Sequence, residues 1–187
     1  MEITKHIIAS CISKDQSAYK AVYQSYAPFV FAIIKNYFQN QEERKDMLQE
    51  VFVQVFASIH RFDPAKGAFK PWLSKLTVNQ CAMHLRKRSR LHIAFSIEEI
   101  EEASTEDIAV LETLDRGRLE QLLLVMPEGY RTVFLLSVVD GYTHKEIAKL
   151  LSIKEQTSRS QLARALKWIK QRSGLRSQIL KMIGYGV

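Results

Sequence analysis

The chain has few of the residues that build covalent, metal or cofactor sites. Its two cysteines, Cys11 and Cys81, lie far apart, and there is neither a CxxC nor a Cys/His pair at zinc spacing. We therefore expect two reduced, mostly buried thiols and no metal. The five histidines form no HExxH pattern, and the seven glycines form no phosphate-binding loop or nucleophile elbow. The sequence thus predicts neither an enzyme nor a cofactor.

Long apolar runs are also missing. The run FVFAII at 29–34 is far shorter than the roughly 20 residues that cross a bilayer. The start of the chain, MEITKHIIASCISKD, lacks the apolar segment of a signal peptide. The composition, 47% hydrophobic and 25% charged, is that of a globular protein. We expect a cytoplasmic protein with no membrane insertion.

Positive charge is absent from one stretch and abundant elsewhere. Residues 91–115 contain no Lys or Arg but eight acids, whereas the rest carries 27 basic and 12 acidic side chains. A net charge of +7 favours a polyanionic partner. Blocks of like charge tend to form linkers. We therefore predict a first domain over 1–92, an acidic linker over 93–115, a second domain over 116–173 and a C-terminal tail over 174–187.

Strand signals are nearly absent, and apolar residues recur at helical spacing. The sequence predicts an all-α fold of two small helical domains joined by the linker. Ser17 is a candidate cap for an early helix, and Asn40 with Glu43 fits a capping box for the next. Pro71 suits the first turn of a helix that runs to about Ser89. The helix after Asn40 directs an apolar stripe inward, and its other face carries Asp46, Gln49, Glu50, Val53 and Gln54.

The second domain has the pattern of a helix-turn-helix. A capping box at Thr143 and Glu146 opens a short helix ending at Leu151, and a longer helix runs from about Glu155 to Gln171. Polar and basic side chains on the second helix suit base edges and phosphates in a major groove. The alternative is a solvated helix hairpin with surface charges. The residues expected to point outward are Gln156, Thr157, Ser158, Arg159, Gln161 and Arg164.

Aromatic rings and cations alternate over residues 61–90, which end in LRKRSR. Single-stranded DNA binds to proteins through bases stacked on aromatic rings and a cationic track for the backbone. The mixture therefore indicates a protein that captures opened strands. The alternative is that Phe62, Phe69 and Trp72 are core residues. We expect at least one of the three, Phe62, to belong to the core.

Two segments of the chain carry a family resemblance. DMLQEVFVQVFASIHRFDPAKGAFKPWLSKLTVNQCAMHLRKRSR resembles region 2 of bacterial sigma factors of the extracytoplasmic-function group. MPEGYRTVFLLSVVDGYTHKEIAKLLSIKEQTSRSQLARALKWIK resembles their region 4. The resemblance spans roughly 5–172. The longer helix begins Thr157-Ser158-Arg159 where the family usually has Thr-Val-Lys, and a buried Ser158 would need a hydrogen-bond partner.

The resemblance implies a transcription initiation factor that binds RNA polymerase core, through its β′ clamp helices and β flap, and directs it to promoters. The core-binding face would comprise Asp46, Gln49, Glu50, Val53 and Gln54. The −10 element would be melted and held as a single strand by Lys66, Phe69, Lys70, Trp72, Lys75, Asn79, Arg86, Lys87 and Arg88. The −35 element would be read as duplex by Lys154, Gln156, Thr157, Ser158, Arg159, Gln161 and Arg164. The resemblance leaves open whether an anti-sigma factor restrains the protein.

A second function class stays open on the residues alone. An ordinary helix-turn-helix regulator would bind an operator as a symmetric dimer. Such a dimer would bind duplex DNA tightly by itself, whereas an initiation factor would bind weakly and salt-dependently until polymerase core is present.

Overall fold

The computed structural model describes residues 5–89, 111 and 114–182, with side chains through residue 173 apart from those of 89 and 116. Every regular element within these ranges is helical, which confirms the predicted all-α fold. The chain divides into two compact units, Met1–Arg88 and Ser89–Val187. Most of the predicted acidic linker lies outside the described residues, so its bounds stay a prediction.

The N-terminal unit is built on helices with polar caps. The carboxylate of Asp15 accepts from the backbone N–H of Ser17 at 2.9 Å, so the prediction that Ser17 is the cap is wrong. This hydrogen bond and a second from the Ser17 hydroxyl hold the pKa of Asp15 below its usual value. Asn40 is a cap as predicted, since its side chain accepts from two N–H groups of the next turn. The elements are α1 (Lys5–Ile12), α2 (Gln16–Tyr37), α3 (Gln41–Ser58), a 3-10 turn (Ile59–Arg61) and α4 (Phe69–Ser89).

The core of this unit lies where α2, α3 and α4 bury side chains spaced three and four residues apart. Cys11 and Cys81 are both buried, as predicted, and neither forms a disulfide. Burial raises the pKa of the Cys11 thiol, and the nearby Asp15 carboxylate adds to that rise. The buried core includes Val22, Tyr26, Val30, Ile34, Met47, Val51, Phe52, Val55, Leu73, Val78, Ala82 and Leu85.

The C-terminal unit packs two shorter helices, α6 and α7, against one long helix, α8. Its core contains Phe134, Leu166 and Ile169, each at most 2% exposed. Leu122, Met126 and Ala165 complete the buried cluster. The elements are α5 (Arg116–Val125), α6 (Glu128–Phe134) with a π-helical continuation (Leu135–Val139), α7 (His144–Leu151) and α8 (Glu155–Met182).

The long helix α8 continues beyond its predicted end near Gln171 and reaches Met182. Gly174 does not stop it, because one interior glycine costs only about 1 kcal/mol relative to alanine and good helix formers follow. Part of the predicted tail is therefore helical. The residues after Met182 lie outside the described part of the chain.

Candidate nucleic-acid interface

The outward face of α3 is polar apart from one apolar side chain. Asp46, Gln49 and Glu50 are exposed and Gln54 is half-buried. Val53 is 70% exposed, although Val51 and Val55 on either side of it are fully buried. An exposed valine among carboxylates and amides suits a protein partner, which can cover the apolar group while leaving the polar rim hydrated. The structure thus places the five predicted core-binding residues on one helix, four of them exposed.

Two acids of α3 lie beside an arginine and a histidine of α4. The Glu43 carboxylate lies 2.6 Å from the Arg88 guanidinium, and the Glu50 carboxylate lies 3.6 Å from His84 Nδ1. The His84 ring also meets the Phe38 ring edge-on, with centroids 5.5 Å apart. These contacts join the face predicted to bind a protein to the helix predicted to bind DNA. Neither Glu43 nor His84 was predicted to belong to either site.

The three aromatic residues at the start of α4 form one cluster. Phe62, Phe69 and Trp72 have ring centroids 5.2 to 5.5 Å apart, and the Tyr26 ring lies 5.0 Å from that of Phe69. Phe62 is 8% exposed and is a core residue, as predicted. Phe69 is 5% exposed, so it could stack a base only if the cluster opened. Trp72 is half-buried and is the one ring of the three with an accessible part.

The cations predicted to hold the −10 strand lie along α4 and the turn before it. Lys66 is exposed beside Asp63, with the charged atoms 3.6 Å apart, and Lys70 lies 5.9 Å above the Phe29 ring. Lys75 and Lys87 are exposed. Asn79 and Arg86 are half-buried. The last arginine of the LRKRSR run, at position 90, lies outside the described residues.

The helix-turn-helix forms as predicted. The Thr143 side chain accepts from the Glu146 backbone N–H, and the Glu146 carboxylate accepts from the Thr143 N–H, completing the capping box. The turn after α7 places Ser152 in the left-handed region, with a φ of 56°. Lys154 and Gln156 are exposed at the start of α8, and Thr157 and Arg164 are half-buried. Arg159 forms an ion pair of 2.7 Å with Glu155, one turn earlier.

Two residues of α8 that the sequence analysis expected to point outward are buried instead. Ser158 is fully buried, and Gln161 is 3% exposed. The Ser158 hydroxyl lies 2.9 Å from His144 Nδ1, which supplies the partner that a buried serine needs. The Gln161 side-chain oxygen has no hydrogen-bond partner among the described residues. The expectation was wrong because α8 packs against two helices, which leaves it a narrower exposed face than an isolated hairpin would have.

His144 was missed because nothing local in the sequence pairs it with Ser158, fourteen residues later. Because His144 directly follows the Thr143 cap, the sequence predicted that it lies in the first turn of α7 but not which side chain it contacts.

In the parts of the chain that the structure describes, no group of His, Cys, Asp or Glu side chains is arranged to hold a metal ion. Within the same residues, no helix combines the length and apolarity that crossing a bilayer requires.

Two family profiles match the chain, one in each unit. The profile for sigma-70 region 2 matches residues 22–91, and that for sigma-70 region 4 matches residues 116–169. Together they cover most of α2, all of α3 and α4, and α5 to α7 with the first part of α8. The region 2 match precedes the region 4 match along the chain, as the two resembling segments do.

Curated relatives agree with these profiles. The ECF RNA polymerase sigma factor SigE of Mycolicibacterium smegmatis is 29% identical over 129 residues, which is 67% of this chain and 49% of that relative. This chain thus spans about half the length of that protein. The ECF RNA polymerase sigma factor SigW of Bacillus subtilis is 24% identical over 180 residues, covering 88% of this chain and 90% of SigW.

A solved structure with a related chain is the sigma factor RpoE in complex with the anti-sigma factor NepR from Bartonella quintana. The match has a TM-score of 0.46 and 18% identity, and it covers 82% of this chain and 94% of that one. The family assignment rests on the profiles and the curated relatives.

Proposed function

The chain belongs to the extracytoplasmic-function group of the sigma-70 family, and we propose that its two units divide promoter recognition between opened and duplex DNA. It is a transcription initiation factor that directs RNA polymerase to promoters. The observation that carries the proposal is that the chain has two cationic helices, α4 and α8, in separate compact units. An operator-binding dimer would need only one of them.

The outward face of α3 binds polymerase core in this proposal. Support comes from Val53, whose apolar side chain is exposed to solvent, and from the carboxylates of Asp46 and Glu50 on the same face. A protein interface typically buries an apolar centre inside a polar rim. The β′ clamp helices are the part of core that the family resemblance implies for this face. The β flap is the part proposed for the C-terminal unit.

The start and outer face of α4 hold the −10 element as a single strand. Trp72 offers part of a ring for stacking, and the exposed lysines along α4 can follow the phosphates. Extruding a base costs a few kcal/mol, which stacking and phosphate contacts must offset. Phe69 supports Trp72 from beneath in this arrangement, with ring centroids 5.3 Å apart. The proposal therefore assigns base contact to Trp72 and a supporting position to Phe69.

The exposed start of α8 reads the −35 element as duplex. Gln156 and Arg159 carry amide and guanidinium groups of the kinds that form paired hydrogen bonds with adenine and guanine edges. Lys154, at the turn, suits a phosphate. The free N–H groups at the start of a helix favour the same anion. Ser158 and Gln161 face inward and take no direct part.

The cellular location proposed for this protein follows from its proposed partners. A factor that works with polymerase and promoter DNA acts in the cytoplasm and joins the nucleoid when bound. Phosphodiester chemistry belongs to the polymerase and not to this chain. An anti-sigma factor would act by covering the outward face of α3, because a protein seated there would exclude polymerase core from the same surface.

Co-elution with bacterial RNA polymerase core on a sizing column tests the proposal. We expect one-to-one co-migration, and we expect Val53→Asp to abolish it without unfolding the protein. Val138→Asp is a matched control, since Val138 is an exposed valine of the other unit. Absence of co-migration with active core, together with tight dimeric binding of duplex DNA by the protein alone, would favour the operator-binding regulator.

A further inference from the structure

The two helices of the helix-turn-helix share a polar contact between two side chains that are not proposed to touch DNA. Ser158 Oγ and His144 Nδ1 lie 2.9 Å apart, and Ser158 has no exposed surface. His144 is the first residue of α7, and Ser158 is the fourth residue of α8. The contact therefore joins the first turns of both helices.

The surroundings make this contact well defined. The Thr143–Glu146 capping box fixes the backbone at the start of α7, and the Ser158 N–H is bonded to the Lys154 carbonyl at 3.1 Å. A serine hydroxyl both donates and accepts, so the contact forms with either tautomer of the histidine ring. A buried hydroxyl that lost its partner would be left desolvated and without a hydrogen bond, which is unfavourable. The contact therefore stabilises one crossing angle of α7 and α8 relative to neighbouring angles.

The same helix turn carries the proposed base-reading residues. Gln156 and Arg159 flank Ser158 in sequence and lie on the outer side of α8. A rotation or slide of α8 that broke the contact with His144 would therefore move both of them. Hydrogen bonds to base edges tolerate only about 0.5 Å and 10–20° of misplacement before they weaken.

We infer that His144 and Ser158 are positioning residues for −35 recognition, holding α8 at the angle at which its outer face matches base edges. The inference rests on the proposed function, since it concerns the helix proposed to read the −35 element. Neither residue contacts a base. Their effect is on discrimination between sequences, and it depends on both members of the pair.

The experiment is a double-mutant cycle in reconstituted holoenzyme. The variants are Ser158→Ala, His144→Ala and the double variant, with Ser160→Ala as the control. Ser160 lies two residues along α8 and is half-buried, and its hydroxyl donates to the Thr157 carbonyl of its own helix. The probe is a promoter fragment selected by the wild-type holoenzyme from random −35 sequences. The readout is the ratio of its affinity to that of the same fragment with a scrambled −35 element.

Each single variant should lower this discrimination ratio about fivefold to tenfold, and the double variant should be no worse than either, because the residues act as one pair. Ser160→Ala should keep the wild-type ratio. His144→Asn should restore most of it, because its amide can reach the Nδ1 position and bond the same hydroxyl. Thermal unfolding of each variant shows whether the unit stays folded.

Three results would overturn the inference. A wild-type ratio in every folded variant would make the contact purely structural. Loss at a single base pair for Ser158→Ala, with His144→Ala unchanged, would make Ser158 a direct reader. Additive losses would make the two residues independent. A wild-type holoenzyme with no dependence on −35 sequence would instead contradict the proposed function of α8, a result distinct from these three.

Discussion

The two cationic helices place their polar side chains in different ways. Helix α4 buries apolar and small residues such as Leu73, Val78 and Ala82, together with a threonine bonded to its own backbone, and keeps its lysines exposed. Helix α8 buries Ser158 and Gln161 along with its apolar residues. Apart from this threonine, whose hydroxyl bonds within its own helix, the buried side of α4 is apolar, whereas α8 buries two polar side chains, and Ser158 bonds to another helix. A DNA-reading helix that is packed on two sides has a narrower outer face than its composition suggests.

The largest expected effect comes from the aromatic cluster. Phe69→Ala should lower the free energy of unfolding by about 3–5 kcal/mol, because it removes a buried ring and leaves a cavity. Trp72→Ala should cost less stability, since Trp72 is half-buried, but should reduce promoter opening more. Chemical denaturation measures the first quantity, and permanganate reactivity of −10 thymines measures the second. If Phe69→Ala left stability unchanged and blocked opening alone, Phe69 would be a base contact.

The next effect concerns the face of α3. Glu50→Lys should weaken core binding at least about tenfold, because it reverses a charge within the proposed interface and removes the carboxylate that lies beside His84. Glu120→Lys, an exposed reversal in the other unit, serves as the control. Fluorescence anisotropy with labelled protein and core gives both affinities. Equal affinities for wild type and Glu50→Lys would remove this part of α3 from the interface.

A smaller effect is expected at the start of α8. Arg159→Ala should weaken promoters that depend on their −35 sequence by about tenfold, as expected for loss of one good base contact. It should leave promoters that do not depend on their −35 sequence nearly unchanged. In vitro transcription from matched templates checks this difference. A uniform loss across −35 sequences, with a reduced salt slope, would mark Arg159 as a phosphate contact.

The smallest expected effect concerns Gln161, a buried polar residue of α8 that is not proposed to contact DNA. Gln161→Met should raise the stability of the C-terminal unit by about 1 kcal/mol, because it replaces a buried amide, whose oxygen has no hydrogen-bond partner among the described residues, with an apolar side chain of similar size. Affinity for the −35 duplex should not change. Thermal unfolding and a duplex-binding titration check these outcomes. Loss of −35 binding in a folded Gln161→Met protein would return Gln161 to the interface.

Much of the fold could be predicted from local signals. The Asn40 cap, the capping box at Thr143 and Glu146, and the apolar spacing along α3 each act within one or two turns, so the sequence alone reveals them. The expected core position of Phe62 is confirmed by its 8% exposure. The outward face of α3 followed from the same periodicity.

The missed features depend on contacts between distant residues. Ser158 and Gln161 are polar residues of the kinds expected on a helix that faces DNA. Only the packing of α8 on α6 and α7 shows that they are buried. The pairing of His144 with Ser158, and of Glu43 with Arg88, depends on which helices meet. No spacing rule within one helix contains that information. Helix α8 was expected to end near Gln171, whereas it continues to Met182.

The most direct test of the central claim is a combined footprint of reconstituted holoenzyme on one promoter fragment. Permanganate reports unpaired −10 thymines, and hydroxyl-radical cleavage reports protection of the −35 duplex. Our account predicts both signals only when core is present, loss of the −10 signal in Trp72→Ala, and loss of the −35 signal in Arg159→Ala. A symmetric footprint from the protein alone, without strand opening, would contradict it.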